Sequence, residues 1–203
     1  MTNLPDDLQF EHLDAARARE LRDVVEDIYR RAYIDTIASG ELFDTPEEFM
    51  TRFDAYTDPT RSGGFELVIA RVRGEPVGQA WGWPLAPDTA WWGGLHLDSG
   101  GIDEFSAETG TRTFALSEIM VCRQHTGHGL ARALHDELLR HRPEERATLL
   151  VEPENTRAYN AYRKWGWHRV GHLRPNWPDA PLFDVLIKEI ATRPGQFGTM
   201  SEP

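Results

Sequence analysis

Apolar positions recur at two periods along the chain, and the switches between them mark its elements. "LQFEHL" (8–13) predicts a short strand. From Ala15 to Asp35 the residues Leu21, Val24, Val25, Ile28 and Tyr29 fall at helical spacing, so one amphipathic helix is expected there. A second helix follows Asp44: Thr45 can cap it, Pro46 suits its first position, and Glu48 completes a capping box. "GFELVIARVRGEPVGQAWGWPL" (64–85) then reads as two strands turned by Arg73, Gly74 and Glu75.

Beyond residue 111 the alternation is clearer. Strands are expected over 112–121 and 147–153, helices over 129–140 (stopped by Pro143) and 156–165, and further strands over 167–173 and 181–190. A strand–helix–strand unit of this length needs parallel neighbours and a right-handed crossover. The predicted fold class is therefore α/β: a mixed, mostly antiparallel sheet with a central parallel strand pair, flanked by helices. The Gly- and Trp-rich stretch 86–111 is assigned no element; it either shapes a pocket or covers an edge. Residues 1–192 read as a single domain and 193–203 as a loose tail.

Composition narrows the function. A 203-residue chain with 40% hydrophobic residues and seven Trp can bury one good core. Its net charge of −11 argues against a nonspecific hold on nucleic acid or an anionic membrane and favours cationic partners. Cys122 is the one cysteine, which rules out an intrachain disulfide and a multi-cysteine zinc site. The start has no basic region followed by an apolar run, and no apolar stretch nears the roughly 20 residues that span a bilayer. A cytoplasmic setting is the expectation.

The candidate chemistry begins at "EIMVCRQHTGHGLARALHDELL" (118–139), where a strand passes through two glycines into a helix. The first N–H groups of a helix have no internal partner and carry partial positive charge, so an anion is their natural guest. Gly127 and Gly129 would let a phosphate approach the backbone; a plain tight turn is the alternative. A Walker loop is excluded by the missing Gly-Lys-Ser/Thr, and "GHGLAR" only partly matches a dinucleotide fingerprint, with Arg132 at the last glycine position. His125, His128, His135 and His141 share no convincing ligand spacing with a carboxylate or thiol, so no metal is expected. Cys122 reads as a plain thiol.

The segment from about Thr113 to Gly171 resembles the acetyl-CoA core of the Gcn5-related N-acetyltransferases (GNAT family). Two registers of that family's phosphate loop fit: Gln124-x-x-Gly127-x-Gly129, and Thr126-x-x-Gly129-x-Ala131, which the spacing from Val121 favours. "NTRAYNAYRKWGW" supplies Asn155, Ala158, Tyr162, Gly166 and Trp167 in the family's N-x-x-A-x-x-x-Y-x-x-x-G-F pattern, with Trp in place of Phe. The likeness is coarse over residues 8 to 112.

The resemblance implies direct acetyl transfer from acetyl-CoA, as cosubstrate, to the amine of a small molecule, with no metal. Glu118, expected on the same strand face as Leu116 and Met120, is the candidate base, or else a binder of the cationic amine. Backbone N–H groups of Met120 to Cys122 are candidates for the oxyanion donor. Cofactor contacts are expected from Met120, Val121, Thr126, Gly127, His128, Gly129, Leu130, Ala131 and Arg132. Asn155 would hold the pantetheine arm or cap its helix. Tyr162 would protonate the sulfur, or simply pack in the core. Arg123, Arg132 and Arg157 are candidate local cations, and Asp35, Glu41 or Asp44 could select a cationic acceptor. A non-catalytic module that binds coenzyme A or a regulatory ligand, and an enzyme acting on protein amines, are the rival readings. Family members often form dimers, so a homodimer is a further expectation.

Overall fold

Strand and helix signals both materialise, and one sheet collects all the strands. The structure, a computed structural model, describes residues 4–40, 44–60, 63–176 and 180–190. Within these residues the strands are β1 (Leu8–Leu13), β2 (Glu66–Val72), β3 (Glu75–Pro84), β4 (Leu95–Leu97), β5 (Thr113–Val121), β6 (Arg146–Val151), β7 (His168–Leu173) and β8 (Phe183–Glu189). They hydrogen-bond in the order β1-β2-β3-β5-β6-β8-β7-β4. Every neighbouring pair is antiparallel except the central β5 and β6, so the expected fold class is the observed one. Arg73 (φ 53°) and Gly74 (φ 80°) turn the β2–β3 hairpin with the two positive φ angles that a tight two-residue connection needs.

The helices are α1 (Ala15–Glu20), α2 (Arg22–Ala32), α3 (Ile34–Ala38), α4 (Pro46–Tyr56), α5 (Ile102–Ser106), α6 (Leu130–Leu139) and α7 (Thr156–Lys164). The single helix expected over Ala15 to Asp35 is thus three, broken at Leu21 and Tyr33, whose backbones leave helical geometry. Packing explains the break: α1 buries Ala15 and Ala18 near β1 and β2, whereas α2 buries Val25, Ile28 and Tyr29 near β3 and β5. One straight rod could not follow both. At α4, Thr45 caps the Glu48 N–H at 3.3 Å and Pro46 takes the first turn, as read from sequence.

Two layers cover the sheet. On one face α6 lays Leu130, Leu134 and Leu138 against Val68, Ala80, Phe114 and Leu149, with Tyr162 and Trp167 completing the cluster. Truncating Leu134, fully buried there, should cost about 2–5 kcal/mol. The opposite face is covered in two parts. Helices α1, α2 and α4 roof Leu67, Ile69, Trp81, Met120 and Cys122. The 86–111 connection roofs Leu85, Ala115, Val185 and Ile187.

That connection therefore does carry structure: β4 pairs with β7 at the sheet edge, and α5 follows. A buried polar cluster docks it. Glu108 Oε1 accepts from Trp92 Nε1 (3.0 Å), Thr113 Oγ1 (2.7 Å) and Arg146 Nη2 (3.2 Å), while the Arg146 guanidinium lies 4.3 Å over the Phe105 ring. Neither period marked β4 or α5 because both are very short, and α5 buries no residue.

Candidate functional site

The site grows from an irregularity in β5. Its partner register with β3 runs Ala115↔Trp83, Leu116↔Gly82, then Glu118↔Trp81, so Ser117 is an extra, bulged residue. Gly82 makes room for it: a Cβ there would lie 2.1 Å from the Ala115 carbonyl oxygen. The bulge corrects one expectation. Glu118 does share a face with Met120, but Leu116 points the other way, into the α6 layer. A bulge shifts the alternation by one, and this one turns Glu118 towards α2 and α4.

Glu118 lies half-buried, and among the described residues nothing hydrogen-bonds its carboxylate. Burial pushes its pKa from the ordinary 4.5 up to about 7, partly opposed by the positive charge of Arg52. Two tyrosines from α2 and its C-terminus stand within its field. Tyr29 stacks on Phe49 at 3.8 Å, donates to the Asp44 carbonyl at 2.8 Å, and has its pKa pushed up to about 12 by burial and by Asp44. Tyr33 lies 5.1 Å from the Tyr29 ring, and burial followed by Glu118 raises its pKa also. Sequence reasoning took Tyr29 as helix core and passed over Tyr33 and Arg52. No local pattern marks them, because the convergence of α2, α4 and β5 is what makes them neighbours.

Past Ala115 the two parallel strands separate: their pairing stops at Ala115↔Thr148 although both strands continue. This leaves a gap through the sheet. Tyr162, on α7 and 9% exposed, packs in the layer opposite Glu118, yet the Glu118 charge still raises its pKa after burial has done so. The two candidate catalytic groups thus sit on opposite faces and sense each other at the gap. Tyr162 is also core, edge-on to Trp165 at 5.5 Å and Trp167 at 6.1 Å. Cys122 N–H donates to the Val77 carbonyl at 2.9 Å, so it faces β3 and is removed from the oxyanion candidates. Successive N–H groups alternate sides, which turns Met120 N–H to β3 as well and leaves those of Ile119 and Val121 facing the gap.

The turn follows directly. A short 3-10 turn, Arg123–His125, is closed by Thr126, whose Oγ1 donates to the Arg123 carbonyl at 2.9 Å. Gly127 (φ 87°) and Gly129 (φ 84°) both take left-handed backbone, and Gly129 is the N-cap of α6. Helix α6 begins at Leu130, so Gly129 and Ala131 stand where the Thr126-x-x-Gly129-x-Ala131 register needs them. Among the described residues, the backbone N–H groups from Gly127 through Leu130 and Ala131 to Arg132 donate to no loop, turn or cap acceptor. His128 is exposed beside them, and a Cβ on Gly127 would meet nothing within 4 Å. Six converging donors without acceptors, at the positive end of a helix, suit a pyrophosphate well.

The other candidates have mixed placements. Asn155 caps α7, its Oδ1 accepting from Ala158 N–H at 3.2 Å, which leaves its amide N–H groups for another partner. Arg123 pairs with Asp35 at 2.6 Å, and Arg132 pairs with Asp136 at 2.6 Å while lying 5.7 Å from the Trp165 ring centroid. Arg157 is exposed in the first turn of α7. Glu41 lies outside the described residues. His135 is wholly buried: its Nδ1–H donates to Asp136 at 2.7 Å, its Nε2 accepts from Trp167 Nε1–H at 2.9 Å, and burial lowers its pKa to about 4. Cys122 is packed and burial raises its pKa. Among the described residues no three His, Cys, Asp or Glu side chains group as metal ligands. An open groove of about 630 Å³ beside the turn, lined by Val72, Arg73, Gln124, His125 and His128, includes neither Glu118 nor Tyr162.

Known proteins with the same arrangement carry related names. Residues 22–167 match the sequence profile described as the acetyltransferase (GNAT) family. The fold recurs in the aminoglycoside 6'-acetyltransferase type Ii (TM-score 0.59, 16% identity, covering 92% of this chain and 99% of that one). It recurs in the ribosomal-protein-S18-alanine N-acetyltransferase of Escherichia coli (0.58, 14%, 96% and 99%). A third example is a GNAT family acetyltransferase of Elizabethkingia anophelis with acetyl-CoA bound (0.58, 13%, 91% and 99%). No curated protein matches the chain in sequence.

Proposed function

Because the chain belongs to the GNAT acetyltransferase family, we propose that it is an acetyl-CoA-dependent N-acetyltransferase acting directly on the amine of a small molecule. The observation that carries this reading is the pairing, across the β5–β6 gap, of a carboxylate poised near pH 7 with a buried phenol, next to six unpartnered N–H donors. The related fold serves proteins named for an aminoglycoside and for a ribosomal protein, so the fold does not choose the acceptor. The enclosure of Glu118 favours a slender guest over a folded protein surface.

When bound, acetyl-CoA supplies an activated thioester carbonyl. The N–H groups of residues 127–132 hold the pyrophosphate, and Asn155 offers its amide N–H to the pantetheine arm while capping α7. Val121 N–H, beside Met120, donates to the carbonyl oxygen as charge builds there, an interaction worth roughly 3 kcal/mol in comparable sites. Glu118 accepts a proton from the amine, whose nitrogen must be neutral to form the new C–N bond as the C–S bond breaks. Tyr162 gives its proton to the departing sulfur. Its raised pKa keeps this donor loaded across the working pH range.

Calorimetric titration with acetyl-CoA, paired with a thiol-release screen of amines, tests the reading. Gly129→Glu sets a carboxylate against the pyrophosphate and should weaken binding at least about 100-fold. Equal binding by folded Gly129→Glu, or no binding by folded wild type, would sink the proposal.

A further inference from the structure

The half of the sheet face beyond Glu118 is walled by aromatic side chains that are not closed off as core. Trp81 and Trp83 project to the same face of β3 and stand roughly 7 Å apart along it. Trp81 is the register partner of Glu118, which makes Trp83 the diagonal neighbour of that carboxylate. Trp83 packs against the cluster beneath α2 and α4 and also against the cluster beneath the 86–111 connection, so it stands where the two covers meet. Tyr56 from α4 lies 4.3 Å from its ring, and Trp91 from the connection stands edge-on at 6.1 Å. These three rings are only half-buried, whereas Trp81 and Trp92 are 1% and 7% exposed.

The wall also holds unmade hydrogen bonds. The indole N–H groups of Trp81 and Trp91 are buried without an acceptor among the described residues. A finished core rarely leaves such donors, each of which costs free energy if nothing meets it. Their presence beside open ring faces marks a surface that receives a guest.

Resting on the acetyltransferase reading above, we propose that the acceptor is a primary amine joined by a short linker to a planar aromatic group, the ring lodging on Trp83 between Tyr56 and Trp91. The diagonal spacing of roughly 7–8 Å between Glu118 and Trp83 sets that linker at two or three carbons. The nitrogen then reaches Glu118, where the C–N bond forms and the proton is taken as described above. A second ammonium in place of the ring is disfavoured, since the charge of Arg52 already acts on both Glu118 and Tyr29.

The test titrates 2-phenylethylamine, 2-cyclohexylethylamine and putrescine by calorimetry into the protein, alone and saturated with desulfo-coenzyme A, for wild type and Trp83→Leu. The cyclohexyl probe matches the apolar bulk without the π system, so ring-to-ring contact should give 2-phenylethylamine about a fivefold advantage. Trp83→Leu should erase that advantage while changing desulfo-coenzyme A affinity less than about twofold. If this variant does not fold, Trp91→Leu reads the same wall. Equal binding of the two ring probes, tightest binding of putrescine, or an advantage that survives in the variant would each overturn the assignment. Failure to bind desulfo-coenzyme A is a separate result: it removes the acetyltransferase reading and the acceptor role with it.

Discussion

Two glutamates flank the same stretch of β5 and live in opposite ways. Glu108 lies buried just before the strand, and one of its oxygens takes hydrogen bonds from Trp92, Thr113 and Arg146. Glu118, past the bulge, has no hydrogen-bond partner among the described residues and feels Arg52 only through space. The first charge is neutralised where it stands, so it can only hold the 86–111 connection to the sheet. The second is left unneutralised, and burial lifts its pKa to about 7, where a proton can come and go. What separates a structural carboxylate from a reactive one here is the presence of a bonded cation, with burial common to both.

Glu118→Gln breaks this contrast most severely. Loss of a positioned base should lower kcat by about 10²–10⁴-fold, with acetyl-CoA affinity nearly unchanged, and wild-type kcat/KM should rise with pH through about 7. Stability should move the other way. Between pH 4.5 and about 7 the folded carboxyl keeps a proton that the unfolded chain has lost, so wild-type stability falls as pH rises through that window. The Gln variant lacks this loss and should melt higher than wild type at pH 8. Full activity of Glu118→Gln across pH would remove the base.

Arg146→Met attacks the other member. It leaves the Glu108 charge buried without its cation, which should cost about 3–5 kcal/mol in urea unfolding. Adding Glu108→Gln should restore much of that loss, because the uncompensated charge goes with it. No recovery in the double variant would mean that packing of Arg146 against Phe105 and Trp92 sets the cost.

A third, weaker case sharpens the comparison. His12 places Nδ1 2.7 Å from Glu66 and Nε2 3.0 Å from Glu137, tying β1 and β2 to α6. Burial opposes its charge, but the two carboxylates outweigh that and raise its pKa. Its contribution is therefore complete below its ordinary 6.5 and is lost as pH rises through the folded value. The group is too exposed for a large effect, so His12→Ala should cost less than about 1 kcal/mol at pH 5.5 and nothing measurable at pH 9. An equal loss at both pH values would rule out the charged form.

The candidate site was readable in part for a physical reason. The turn at Gly127 and Gly129, the start of α6 and the Asn155 cap are set by groups within a few residues of one another. Tyr162 could be found by its motif, though its nearness to Glu118 could not. The face of Glu118 was misjudged relative to Leu116 because alternation assumes an unbroken strand, and only the approach of Gly82 to Ala115 reveals the bulge. Tyr33 and Arg52 carry no pattern at all.

The sequence by itself determined the order of strands and helices around the central pair, the anion-ready turn and the absence of a cysteine framework, since periodicity, glycine backbone freedom and composition act locally. The tertiary structure alone decided which way Glu118 points, how far its pKa rises, and that the Trp-rich connection is pinned by Glu108 and Arg146. Those depend on contacts between segments dozens of residues apart, where burial and electrostatic fields are created by the packing itself.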